Sequence, residues 1–95
     1  MTTIWKYQFR ITDEQTLQLP YGTKKVLHVG LDPNSNPCIW CETDMDKNNH
    51  LVSRPLTLFV VGTGNPVSEE AICYLGSFVH EFFVRQVYID NKAEK

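Results

Sequence analysis

The chain has 95 residues, 42% hydrophobic and 12% aromatic, with 11 acidic and 9 basic side chains and a formal net charge of -2. That length suits one domain around one core, and the supply of Phe, Tyr and Trp is enough to build it without disulfides or a structural metal. Scattered Lys and Arg argue against a phosphate-backbone partner, no apolar run approaches the roughly 18 residues of a membrane span, and three cysteines without a framework spacing fit reduced thiols in a cytosol.

Trp5, Tyr7, Phe9 and Ile11 alternate with Lys6, Gln8 and Arg10, the period of a half-buried strand. Thr12–Gln15 reads as a polar turn, Leu17 and Leu19 as a short second strand, and Pro20-Tyr21-Gly22 as its close. A third strand over Lys25–Leu31 places Leu27, Val29 and Leu31 on one face. The turn formers Asp32–Pro37 then join it as a β-hairpin to Cys38–Thr43.

Asp44 to Ser53 is polar and reads as a mobile surface loop that Pro55 ends, and Leu56–Val61, apolar on both faces, reads as a central strand. Gly62-Thr63-Gly64-Asn65-Pro66 breaks that strand, with Asn65 and Pro66 resembling a helix cap and first helical position for one or two turns over Val67–Ala71. Ile72–Val79 and Phe82–Ile89, parted by His80-Glu81, read as a closing hairpin. A single amphipathic helix over Glu69–Gln86 is the alternative, disfavoured by Gly76 and by Phe83, Val84, Val87, Tyr88 and Ile89. Residues 91–95 read as a frayed tail.

The pattern predicts one all-β domain, a small antiparallel barrel or two-layer sandwich of about six or seven short strands with at most one or two helical turns. Trp5, Tyr7, Phe9, Leu27, Val29, Leu58, Val60 and Phe78 are its expected core.

Chemistry-bearing residues are few. Cys38 and Cys41 form a C-x-x-C, yet three residues apart on a strand their thiols diverge, and neither a zinc set nor a helix N-terminus accompanies them. His28, His50 and His80 lack ligand spacing, and Glu42, Asp44 and Asp46 lack the glycine turn and distal Glu of a calcium loop. The Gly62–Asn65 stretch can aim backbone N–H groups at an anion, although it has no Gly-Lys-Ser/Thr ending and Pro66 removes a donor.

Ile4-Trp5-Lys6-Tyr7, Pro37-Cys38-Ile39-Trp40, Val60-Val61-Gly62-Thr63-Gly64-Asn65-Pro66 and Tyr74-Leu75-Gly76-Ser77-Phe78 together resemble a family of small phage- and prophage-encoded proteins classed only as a domain of unknown function. The resemblance runs over residues 4 to 90 and departs at Val79, where the family carries an aromatic residue before its histidine. It implies a viral accessory protein made in the host bacterial cytoplasm, and it assigns no activity.

The expected function is therefore binding without catalysis and without a cofactor or metal. The first expectation is a bacterial host protein or complex as partner, an antiviral defence complex inhibited as anti-CRISPR proteins inhibit theirs. The alternatives are a sponge for a small nucleotide immune signal and a virion or assembly component. Polar loop residues Asn48, Asn49, His50, Arg54, Thr63 and Asn65 are the expected contacts, because the strand faces are committed to packing.

Overall fold

The computed structural model describes residues 1–47 and 53–90 of the chain. Among the described residues there are seven strands: β1 (Thr2–Gln8), β2 (Glu14–Pro20), β3 (Thr23–Leu31), β4 (Pro37–Asp44), β5 (Ser53–Gly62), β6 (Cys73–His80) and β7 (Phe83–Ile89). They make a three-stranded sheet in the order β1-β4-β3 and a four-stranded sheet in the order β2-β5-β7-β6, with every pairing antiparallel. The sheets do not close into a barrel, and the architecture is a two-layer sandwich.

The core between the layers follows from period-2 alternation. Ile39 and Cys41 of β4, Leu56, Leu58 and Val60 of β5, Val87 and Ile89 of β7, and Phe9, Val29 and Phe78 are buried together. Fully burying a side chain such as Leu58 or Ile89 contributes roughly 1.5–3 kcal/mol, so these strand interiors fix the fold. The layers approach closely where Gly76 of β6 meets β3: a Cβ there would lie 2.9 Å from Val29 Cγ1.

Two of the eight expected core residues lie elsewhere. Trp5 is 37% exposed because β1 is an edge strand, open along one flank. Leu27 is 43% exposed because β3 is bulged twice. Its register skips Lys24 and then Leu27, so Thr23, Val26 and Val29 oppose Thr43, Cys41 and Ile39 on the inward face. An unbulged alternation would have put Leu27 inside.

The β3–β4 hairpin forms as its turn residues predict. Asp32 organises it: its Oδ1 accepts from the Asn34 and Asn36 N–H groups, both at 2.9 Å, and its Oδ2 accepts from Lys6 Nζ at 3.1 Å. Donation from the Asn36 N–H holds the Asp32 carboxyl below its ordinary pKa, against the opposing effect of burial.

β5 begins at Ser53 and includes Pro55, earlier than expected. Its pairing with β7 starts only at Leu58, so Pro55 sits where β5 has β2 as its one neighbour and a missing N–H is tolerated. From Leu58 to Val61 every residue is buried, as a central strand requires.

No helix forms over Val67–Ala71. The Asn65 N–H is used instead in a turn to the Gly62 carbonyl at 3.0 Å, and the Ser68 hydroxyl accepts from the Glu70 N–H at 3.2 Å. Five residues are too few to nucleate a helix without a packed face. The one helical turn among the described residues is a 3-10 turn at Met45–Lys47, where Asp44 Oδ1 accepts from the Asp46 N–H at 3.0 Å. Since β7 pairs antiparallel with both β5 and β6, those two run parallel, and residues 63–72 cross over the sheet to join them.

Candidate functional site

The chain reverses between β6 and β7 in a loop of two residues, because His80 pairs with Phe83 and leaves only Glu81 and Phe82 between them. Both have positive φ, 50° and 72°. A two-residue type I′ turn demands that conformation, and Asn-Gly is its natural occupant. An L-residue with a Cβ held there costs about 1–2 kcal/mol. The Phe82 side chain is also 100% exposed and Phe83 is 63% exposed, so the turn carries two unburied aromatic rings at a strained tip.

The Gly62–Asn65 loop lies beside that tip. Gly64 has φ 91° at the third position of the turn closed by Asn65, where type II turns require glycine. The loop is fastened to β7 by Thr63, whose N–H and hydroxyl both donate to the Val84 carbonyl at 3.3 Å and whose hydroxyl accepts from Gln86 Nε2 at 3.2 Å. An open basin of about 540 Å³ is lined by Gly62, Thr63, Asn65 and Phe82–Arg85. The Arg85 guanidinium stands 5.8 Å from the Phe83 ring centroid, and its Nε is buried with no hydrogen-bond partner among the described residues. On the other side of the loop a groove of about 310 Å³ is lined by Asp13, Glu14, Phe59, Val61, Asn65 and Ser68. One flank thus offers aromatic rings and a cation, the other carboxylates.

The expected contact residues are divided. Asn65 lines both concavities, and Thr63 lines the aromatic basin beside it. Arg54 lies at the opposite end of β5, opposite Leu19 in the register, and donates to the Thr23 carbonyl, which places it in the structural frame of β3. Asn48, Asn49 and His50 lie outside the described residues. The aromatic tip was not among the expected contacts. Its signal was legible, since Glu-Phe stands where a two-residue hairpin wants Asn-Gly, but it shows only once the pairing register is known.

Cys41 joins the core, while Cys38 is buried against Asp32 at 3.8 Å, and burial followed by the Asp32 charge pushes its thiol pKa up, away from nucleophilic thiolate. His28 packs against Trp40 with ring centroids 5.2 Å apart and the planes tilted by 45°. Burial likewise pushes the Tyr7 hydroxyl pKa up, and the Thr43 and Thr23 hydroxyls beside it oppose the shift without reaching bonding geometry. Among the described residues no three His, Cys, Asp or Glu side chains converge as a metal site would need.

No curated protein and no solved structure matches the chain. A domain of unknown function, DUF7352, matches residues 1–95, and the chain belongs to that family.

Proposed function

We propose that the chain is a non-enzymatic binding protein that docks on a protein partner through the β6–β7 tip and the adjoining Gly62–Asn65 loop. The supporting observation is Phe82, wholly exposed at φ 72°. Backbone strain opposes folding, the unburied ring adds nothing to it, and a glycine would relieve the strain, so the residue is best accounted for by what it touches outside the chain. Aromatic residues and arginine are enriched at protein interfaces, and Phe82, Phe83 and Arg85 supply them. Following the resemblance, the proposal extends to a phage accessory protein acting in the host cytoplasm, with a bacterial antiviral complex as its target.

A second reading rests on the basin itself. Its volume falls within the roughly 300–1,000 Å³ of small-molecule sites, and Arg85 beside Phe83 would suit a nucleotide phosphate and base. A pull-down from infected bacterial lysate, read by mass spectrometry for proteins and nucleotides together, separates the two. The protein-docking reading expects a captured host protein that a Phe82→Ser/Phe83→Ser variant with an unchanged melt releases. Undiminished capture by that variant removes the tip from consideration, and a co-purifying nucleotide without a protein favours the second reading.

A further inference from the structure

We propose that this chain forms a dimer by exchanging β7 with a second copy of itself, the Glu81–Phe82 turn opening into extended strand. The turn is the part of the hairpin that resists closure, since both of its residues are non-glycine at positive φ and no third residue shares the bend. Short hinge loops under strain favour exchange, because the extended form relieves them while every other contact is made again by the partner.

The register shows how the exchange is accommodated. From Gly76↔Val87 through Ser77↔Gln86, Phe78↔Arg85 and Val79↔Val84 to His80↔Phe83, each residue number on β6 and its opposite on β7 have one constant sum. Continued through the open hinge, the same register sets Glu81 opposite Phe82 of the other copy, twice about a two-fold axis. The pairing thus runs on across the crossing without a bulge. β7 lies inside its sheet between β5 and β6, so the incoming strand replaces both ladders as well as the buried Val87 and Ile89. What changes is the hinge, which exchanges the positive φ of Glu81 and Phe82 for two further paired residues. Dimerisation is measured with no partner present, so this inference stands or falls apart from the binding role.

The experiment refolds the full chain from denaturant at millimolar and at micromolar concentration, then separates species by gel filtration with light scattering. The millimolar sample is expected to contain a dimer that, once isolated and diluted, persists for hours, because reversal needs β7 to leave its sheet. The Glu81→Asn/Phe82→Gly variant, which gives the turn its preferred residues, is expected to fold as a monomer with the dimer fraction reduced by about tenfold or more. Monomer alone at both concentrations, a dimer that dissociates within minutes of dilution, or a dimer undiminished in the variant would each overturn the proposal.

Discussion

The β3–β4 and β6–β7 hairpins solve one problem, reversing a chain at a sheet end, in opposite ways. In the first, Asp32 satisfies the Asn34 and Asn36 N–H groups, Ser35 alone takes a positive φ of 64°, and Lys6 neutralises the carboxylate from another strand. In the second, two residues carry all the curvature, neither side chain repairs it, and the aromatic rings point into water. A turn under selection for stability alone would look like the first. The second retains local conflict between residue and conformation, and such conflicts mark where a chain serves something other than its own fold.

The largest effect is expected from breaking the well-made turn. Asp32→Ala should lower the melting temperature more than any change at Glu81 or Phe82, since it removes the acceptor of two backbone N–H groups and leaves Lys6 unpaired. A carboxyl whose folded pKa lies below its ordinary value contributes fully above that value, and the contribution is lost as pH falls through the folded one. Melts of wild type and variant should therefore differ most near neutrality and converge in acid, once the pH has fallen below the lowered folded pKa. An equal gap at both pH values would show that Asp32 acts through shape and not through charge.

Next comes Gly76→Ala, which tests whether the strained tip stands on a firm base. The added Cβ meets Val29 Cγ1 at 2.9 Å between the layers, and a loss of about 1–3 kcal/mol by urea unfolding is expected. A smaller loss would mean the layers part there with ease. The turn replacement Glu81→Asn/Phe82→Gly should act in the other direction, raising monomer stability by about 1 kcal/mol or more as the αL penalty disappears. An unchanged or lower melt would place the two hairpins on an equal footing and remove the contrast. Smallest is Phe82→Ser, within about 0.5 kcal/mol of wild type, because a ring bathed in water contributes little to the fold. A distinct destabilisation would show that Phe82 is packed against something in the folded chain.

Much of this architecture is written in local pattern. Asp32–Asn36 announces its hairpin, Leu58–Val61 is apolar on both faces and becomes a central strand, and Phe83–Ile89 is β-branched and aromatic and becomes β7. What is not local is not legible. Leu27 faces outward because of two bulges that no alternation reveals, and Pro66 to Ala71 stays non-helical because its polar groups find turns first. The candidate site was half visible. Thr63 and Asn65 stood out as loop residues after a strand, but Phe82 reads as one more apolar residue of β7 until the register assigns it to the bend. Arg54 reads as a contact residue beside a polar loop, and its pairing with β2 and its bond to the Thr23 carbonyl, neither of which is local, set where it sits.

The order β2-β5-β7-β6 has a consequence in time as well as in space. On a ribosome, β5 and β6 emerge before the strand that lies between them, and the crossover of residues 63–72 must hold the two apart at a distance of one strand until it arrives. During that interval each presents an unpaired edge, and the apolar faces of Leu58 and Phe78 lack the neighbours Val87 and Ile89 that later cover them. Such open edges are where nascent chains join one another by mistake. Folding therefore has a vulnerable stage set by topology, which closes only when β7 takes its place between β5 and β6.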